Sequence, residues 1–64
     1  MVTINGTAVD TAGKTVEEYL SQTNYNRTRI AVEINGDIIP KSQYAATVFQ
    51  DGDTVEIVGC VGGG

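Results

Sequence analysis

The chain has 64 residues, of which 41% are hydrophobic and 19% are charged, and its formal net charge is −4 at pH 7. This composition is typical of one small globular domain and excludes a disordered chain. The basic residues are scattered along the chain, so the sequence lacks the basic stripe with which proteins bind nucleic acid.

Cysteine usage and hydropathy indicate where the protein acts. A single cysteine excludes an internal disulfide framework and fits a reducing compartment. No apolar run approaches the roughly 20 residues of a membrane span, and no basic segment followed by an apolar one opens the chain. We therefore expect a cytoplasmic protein that is a monomer when free, with neither nucleic acid nor a membrane as its partner.

The N-terminal residues predict a β-hairpin. Val2 and Ile4 alternate with a polar residue, which is typical of a half-buried strand. Asn5-Gly6 follows, and this dipeptide favours a two-residue hairpin turn because both positions tolerate positive φ. Residues 7–10 should therefore return antiparallel to the first strand.

A helix is predicted to begin after Thr15. The segment from Thr15 to Glu18 matches a capping box, in which the threonine hydroxyl accepts from the Glu18 amide and the glutamate reaches back to the Thr15 amide. The helix should end near Thr23, where two asparagines favour turns. Its apolar residues fall three and four positions apart and form one stripe that packs on a sheet: Val16, Tyr19 and Leu20.

A second hairpin is predicted in the middle of the chain. Residues 30–34 alternate isoleucine and valine with less apolar residues, which indicates another half-buried strand. Asn35-Gly36 supplies a hairpin turn into a strand over residues 37–39. Pro40 ends that strand because proline has no amide donor.

The next residues predict a short helical turn and a final strand. Ser42 is a candidate cap for a helical turn over residues 44–46. Asp51-Gly52-Asp53 predicts a tight turn and has too few oxygen ligands for a calcium loop. Residues 54–58 should form the final strand. Its side chains alternate between two faces, Val55 and Ile57 on one and Glu56 and Val58 on the other.

These elements run in the order β-β-α-β-β-(short helix)-β. With one substantial helix, they predict an α+β fold in which a mixed sheet of four to five strands curls around that helix. No internal repeat or linker interrupts the body of the chain, so residues 1–61 form one predicted domain.

Gly62, Gly63 and Gly64 follow directly on an apolar run. Each glycine loses more backbone entropy on ordering than any other residue and has no side chain to bury. We therefore expect residues 62–64 to be a flexible tail that extends at most about 14 Å from Val61, enough to enter a narrow cleft on another protein. The alternative is a frayed end or a linker, since frayed termini are common.

Groups for catalysis or metal binding are scarce. The sequence has no histidine, and the predicted turns bring no two carboxylates into a shared pocket. Clusters of histidine and cysteine that would hold a metal are also missing. Cys60 has no neighbouring cation or histidine to activate its thiol, so we interpret it as a small apolar residue. We expect no enzyme, no metal site and no cofactor.

Three segments carry a resemblance to a known family. They are Asn35-Gly36-x-Ile38-x-Pro40-x-Ser42, Asp51-Gly52-Asp53-x-Val55-Glu56-Ile57-Val58 and Val61-Gly62-Gly63-Gly64. In this order they resemble the ThiS family, the small sulfur carriers of thiamin biosynthesis, over nearly the whole chain. The resemblance implies a ubiquitin-like β-grasp fold, in agreement with the predicted strand order.

The resemblance also implies a chemistry for the C-terminus. A ubiquitin-activating-type enzyme (ThiF-like) would adenylate the carboxylate of Gly64 with ATP. Sulfur from a cysteine-derived persulfide, supplied indirectly by a cysteine desulfurase, would displace AMP. The resulting thiocarboxylate would donate its sulfur to thiazole synthase (ThiG-like). In this scheme Gly64 carries the reacting carbon, while Gly62 and Gly63 give it access to a narrow channel.

A docking surface is predicted beside the root of the tail. Val58 and Val61 form an apolar spot with acidic neighbours, which suits a partner with a basic rim. The alternative is a solvated sheet face that needs no partner. The residues that alternate away from the helix share this face: Ala31, Glu33, Glu56 and Val58.

Three other functions share these features. The chain could carry sulfur for molybdopterin or another sulfur-containing metabolite. It could be a ubiquitin-like protein modifier conjugated to lysines, or a β-grasp interaction module with a disordered end. Incubation with an activating enzyme, ATP and a sulfur donor separates the classes, since a thiocarboxylate indicates a carrier, covalent ladders a modifier, and no change a module.

Overall fold

The structure is a computed structural model that describes residues 1–59. The predictions for Cys60, for Val61, for the tail over residues 62–64 and for the domain boundary at residue 61 lie outside the described residues. The strands are β1 (Val2–Ile4), β2 (Thr7–Val9), β3 (Ile30–Ile34), β4 (Asp37–Ile39) and β5 (Thr54–Gly59). The α-helix is α1 (Val16–Ser21), and two 3₁₀-helices lie at Arg27–Arg29 and Lys41–Gln43.

The strands form a five-stranded mixed sheet in the order β2-β1-β5-β3-β4. Each outer pair is an antiparallel hairpin, β1 with β2 and β3 with β4. The last strand, β5, inserts between the hairpins, parallel to β1 and antiparallel to β3. The helix α1 buries Val16 and Leu20 in the core that covers one face of this sheet. The predicted β-grasp fold is therefore confirmed.

Both predicted hairpin turns have the expected backbone conformation. Asn5 and Gly6 have φ angles of 49° and 83°, and Asn35 and Gly36 have φ angles of 52° and 88°. A two-residue turn with positive φ at both central positions matches the twist of the flanking strands, and asparagine followed by glycine adopts it at low cost. These dipeptides therefore set the register of both hairpins.

The helix begins as predicted and ends near the predicted residue. Thr15 Oγ1 accepts from the Glu18 amide at 3.0 Å, and a Glu18 carboxylate oxygen accepts from the Thr15 amide at 2.8 Å, which completes the capping box. The last helical residue is Ser21 and the C-cap is Gln22, close to Thr23, near which the helix was predicted to end. Thr23 directs both its amide and its hydroxyl to the Leu20 carbonyl, and this local bonding competes with continuation of the helix.

The second hairpin ends directly before Pro40, as the sequence predicted. The last register pair of β3 with β4 is Val32 with Ile39, directly before the proline. Ile30 lies beyond the last residue pair of β3 with β4, and its carbonyl accepts a hydrogen bond from the Lys41 ammonium group at 3.0 Å. The Lys41 side chain thus supplies the donor that a backbone amide would supply if β4 continued.

The predicted cap at Ser42 is wrong. The 3₁₀-helix Lys41–Gln43 has Pro40 at its N-cap position and no side-chain cap hydrogen bond. The Pro40 carbonyl accepts from the Gln43 amide at 2.9 Å, so the turn starts before Ser42. Tyr44, which follows this turn, has its side chain in the core.

The core contains aromatic residues that the periodic patterns did not identify. Tyr44 and Phe49 come from the irregular segment between β4 and β5, and both are almost fully buried. The ring of Tyr19 on α1 meets that of Phe49 edge to face, with 5.9 Å between centroids. The buried apolar cluster comprises Val2, Ile4, Val16, Leu20, Ile30, Val32, Tyr44, Phe49, Val55 and Ile57.

Candidate functional site

The central strand β5 is the element that leads towards the C-terminal glycines. It pairs with β3 from Val55 to its described end, where Val58 lies opposite Ala31 and Gly59 opposite Ile30. Its pairing with β1 covers only its first residues, Thr54 with Thr3 and Val55 with Ile4. The C-terminal part of β5 therefore has a strand partner on the β3 side and none on the β1 side among residues 1–59.

A side chain occupies the place that β1 leaves on β5. Asn5 Oδ1 accepts from the Ile57 amide at 2.8 Å, and Asn5 Nδ2 donates to the Ile57 carbonyl at 3.1 Å. Asn5 Nδ2 also lies 3.3 Å from the Tyr25 hydroxyl. The carboxamide of a turn residue thus continues the ladder beyond the end of β1.

The other asparagine turn holds the beginning of β5 in a similar way. Asn35 Oδ1 accepts from the Thr54 amide at 2.9 Å, and Asn35 Nδ2 donates to Asp53 Oδ1 at 3.0 Å. Asp53 is a buried carboxylate, and its Oδ2 accepts from the Gln50 amide at 2.8 Å. Sequence reasoning assigned both asparagines to turns and missed these contacts. The signal available was the use of asparagine at the first position of both turns.

The side of the sheet that faces away from α1 is called here the outer face. The structure confirms that Val55 and Ile57 are buried, while Glu56 and Val58 alternate outward. The side chain of Val58 is exposed at 46%. Register places Ala31 opposite Val58 and Glu33 opposite Glu56, as the predicted face requires. Their role in docking stays a prediction, and Val61 lies outside the described residues.

Ile38 adds an apolar residue to the outer face that was not part of the predicted docking surface. It lies opposite Glu33 on the edge strand β4 and is 71% exposed. Isoleucine is among the residues most often buried in proteins, whereas Ile38 is exposed on an edge strand. The outer face therefore carries acidic residues at its centre with exposed Ile38 and Val58 around them.

Shifted pKa values in the described residues belong to structural contacts. The amide and hydroxyl of Thr15 lower the pKa of the Glu18 carboxyl, and the N-terminal amino group lowers the pKa of the Asp51 carboxyl. Burial raises the pKa of the Tyr19 hydroxyl. These groups lie at the helix cap, at the N-terminus and beside the core, and no two of them form an acid-base pair.

The described residues offer little to a bound small molecule or metal. Within residues 1–59 there is no pocket and no group of histidine, cysteine, aspartate and glutamate side chains that could hold a metal ion. No helix in the same range has the length and apolar character that crossing a membrane requires. The described part of the site therefore consists of the C-terminal end of β5 and the outer face of the sheet.

Comparison with known proteins identifies relatives over most of the chain. The family model described as the ThiS family matches residues 2–64. The sulfur carrier protein ThiS of Escherichia coli is 38% identical over 53 residues, which cover 83% of this chain and 80% of that protein. The crystal structure of the thiamine biosynthesis protein ThiS from Geobacter metallireducens matches with a TM-score of 0.79 and 35% identity, covering 98% of this chain and 97% of that one.

A longer relative is a thiazole synthase. In the thiazole synthase of Paramagnetospirillum magneticum, 53 residues are 45% identical to this chain and cover 83% of it. The chain spans only 16% of the length of that protein. The matching region is therefore a small part of the larger protein.

The fold and the glycine-rich C-terminal sequence define a ubiquitin-like β-grasp carrier domain. The matches in sequence and in structure make the assignment specific. The chain belongs to the ThiS family, whose members are small sulfur carriers of thiamin biosynthesis and not enzymes.

Proposed function

We propose that this chain carries sulfur as a thiocarboxylate on Gly64 for the thiazole moiety of thiamin. The observation that carries the proposal is the family match through residue 64, in a chain whose central strand β5 leads into the glycine sequence. Gly64 supplies the reacting carbon in this proposal. Gly62 and Gly63 let it enter a narrow channel because glycine has no side chain to obstruct the path.

The chemistry needs activation from another protein. A carboxylate is a poor electrophile until one of its oxygens becomes a good leaving group. In the proposed sequence the Gly64 carboxylate attacks the α-phosphate of ATP, releases pyrophosphate and becomes an acyl adenylate. A persulfide sulfur then attacks the acyl carbon and AMP leaves. A thiol cleaves the resulting acyl disulfide, which releases the thiocarboxylate and leaves a disulfide on the donor side.

The activating partner that we propose is a ThiF-like enzyme that docks on the outer face. Val58 and Val61 supply an apolar contact, and the exposed Ile38 extends it across the sheet. Glu33 and Glu56 supply negative charge between these apolar residues, which favours a partner with a basic rim. Docking by the rigid sheet brings the C-terminal glycines to the activating site.

The proposed acceptor of the sulfur is a ThiG-like thiazole synthase. The support is the thiazole synthase of Paramagnetospirillum magneticum, which contains a segment similar to this chain within its own sequence. A second thiazole synthase, from Magnetococcus marinus, contains such a segment at 36% identity. In these proteins the carrier-like segment is covalently linked to the synthase, and this linkage raises the effective concentration of the segment at the acceptor site. Such an arrangement is expected when the two parts act in one reaction sequence.

Mass spectrometry of the intact protein tests the proposal. The chain is incubated with a ThiF-like enzyme, ATP, cysteine and a cysteine desulfurase, and a reaction without ATP is the control. We expect replacement of one oxygen by sulfur at Gly64, located by fragmentation, and sulfur transfer when thiazole synthase and its substrates are added. The Cys60→Ser variant should gain sulfur equally well, because the reacting sulfur sits on the terminal carbonyl.

Each other outcome of the incubation contradicts the proposal in a different way. Covalent ladders on lysines would indicate a protein modifier. A thiocarboxylate that passes to a molybdopterin-forming acceptor and never to thiazole synthase would assign another sulfur pathway. An unchanged mass with active partner enzymes would leave an interaction module.

A further inference from the structure

Among residues 1–59, the hydrogen bonds between Asn5 and Ile57 are the last that β5 receives from the β1 side. Alternate residues from Asp53, which directly precedes β5, to Ile57 direct their peptide groups towards the β1 side, and two of their carbonyls accept backbone hydrogen bonds from β1 and from the turn that follows it. Thr3 donates to the Asp53 carbonyl and Asn5 to the Val55 carbonyl, each at 2.9 Å. At Ile57, two residues further on, the Asn5 carboxamide replaces the backbone as both donor and acceptor.

The reason for the replacement is the hairpin turn at the end of β1. The chain turns away at Asn5-Gly6, so the backbone of β1 cannot follow β5 beyond Val55. The Asn5 side chain spans the gap because its carboxamide offers the same pair of groups as a peptide bond. Among residues 1–59, Ile57 is therefore the last β5 residue with a partner on both sides, the Asn5 side chain on one and Val32 of β3 on the other. Val58 and Gly59 have a partner on the β3 side only.

We propose that Asn5 is a positioning residue for sulfur loading. By holding Ile57 it fixes the direction of the end of β5, the strand that precedes Gly64, the proposed reacting residue. This inference rests on the proposed function. Without the carboxamide, the last point held from both sides moves back to Val55, and the end of β5 pivots about its bonds to β3 alone.

The structure supplies a matched pair of variants. Asn5→Gly and Asn35→Gly each keep a residue that tolerates the positive φ of its turn, 49° and 52°, and each removes one carboxamide from β5. Asn5→Gly releases Ile57 at the C-terminal end of the strand, whereas Asn35→Gly releases Thr54 at its beginning. General loss of stability is therefore common to both variants, and release of the strand end belongs to Asn5→Gly alone.

Steady-state kinetics with the carrier as the varied substrate separates positioning from stability. Unfolded carrier only dilutes the substrate, so lower stability raises the apparent KM and leaves kcat unchanged. A loosened strand end lowers kcat, because docked complexes then place Gly64 correctly less often. We expect kcat for thiocarboxylate formation to be at least threefold lower in Asn5→Gly than in Asn35→Gly. A difference of less than threefold overturns the inference.

Amide hydrogen exchange tests the anchoring without any partner enzyme. In Asn5→Gly the Ile57 amide should exchange roughly fivefold faster than in the wild type, the factor expected for loss of one hydrogen bond. In Asn35→Gly its exchange relative to the other core amides should not change. Equal protection of the Ile57 amide in both variants also overturns the inference.

A second substitution keeps the inference testable if Asn5→Gly does not fold. Asn5→Asp tolerates the turn and keeps an acceptor for the Ile57 amide, but it loses the donor to the Ile57 carbonyl. Its kcat should fall between those of the wild type and Asn5→Gly, or below wild type where Asn5→Gly is not available. A wild-type kcat contradicts the inference. A wild-type protein that gains no sulfur overturns the proposed function itself, and the inference with it.

Discussion

Glu33 and Glu56 lie directly opposite each other on β3 and β5, on the outer face of the sheet. Like charges directly opposite each other on neighbouring strands are destabilising. Neither carboxylate forms an ion pair within residues 1–59. A cationic group on a partner would relieve this repulsion, which is why the proposed docking surface suits a partner with a basic rim.

We predict that Val58→Lys weakens docking of the activating enzyme and that Val48→Lys does not. Val58 and Val48 are exposed to similar extents, 46% and 41%, but only Val58 lies on the outer face beside Glu56. A lysine at position 58 removes the apolar contact and repels a basic rim. The apparent KM for the carrier in thiocarboxylate formation should rise about tenfold or more for Val58→Lys and less than about twofold for Val48→Lys.

Equal effects of the two lysines on KM would place the docking surface elsewhere. The thermal unfolding midpoint of each variant provides the control, because loss of folded carrier also raises the apparent KM. The comparison is valid where both variants remain folded at the assay temperature.

The sequence predicted the elements that depend on neighbouring residues. The Asn-Gly turns, the Thr15 cap and the alternation along β3 and β5 each depend on residues a few positions apart, and the structure confirms them. Such features carry their conformational preference locally. They give the order of the elements along the chain and so predict a mixed sheet around one helix, whereas the β-grasp fold itself was implied by the resemblance to the ThiS family.

The missed features depend on residues far apart in the chain. Asn5 and Ile57 are 52 positions apart, and nothing in the local sequence shows that a turn carboxamide completes a distant strand. Tyr44 and Phe49 lie in a segment without a helical or strand period, so their burial did not appear as a pattern. The cap predicted at Ser42 failed because Pro40 already starts the turn.

The glycines at positions 36 and 59 should respond in opposite ways to alanine. Gly36 has a φ of 88°, where an added methyl group is strained although space is available. Gly36→Ala should lower the free energy of unfolding by about 1–2 kcal/mol. Gly59 is outside the left-handed region and has open space around it, so Gly59→Ala should raise stability by about 0.4–1 kcal/mol by restricting the unfolded chain. Urea denaturation measures both changes, and destabilisation by Gly59→Ala would contradict the geometry of β5.

Glu18 should make stability depend on pH through the helix cap. Hydrogen bonds from the Thr15 amide and hydroxyl lower the pKa of the Glu18 carboxyl below its ordinary value. A lowered folded-state pKa means that the contribution is present above the unfolded pKa and is lost as the pH falls through the folded value. Glu18→Gln should therefore lower the free energy of unfolding more at about pH 7 than at about pH 2.5. Equal losses at both pH values would show that the charge of Glu18 does not contribute.

The proposed role of Gly64 is tested by adding one residue after it. An appended alanine moves the terminal carboxylate by about 3.5 Å and places a methyl group on the carbon beside it. Misplacement of a reacting group by about 1 Å can cost on the order of a hundredfold in rate, so adenylation and sulfur loading should fail. The buried core lies between Val2 and Ile57, and the unfolding midpoint should therefore stay unchanged. Binding to the activating enzyme, measured by calorimetry, should weaken only modestly because the outer face is intact. If the extended protein gains sulfur at the normal rate without first losing the alanine, the Gly64 carboxylate is not the reacting group and the carrier mechanism proposed here is wrong.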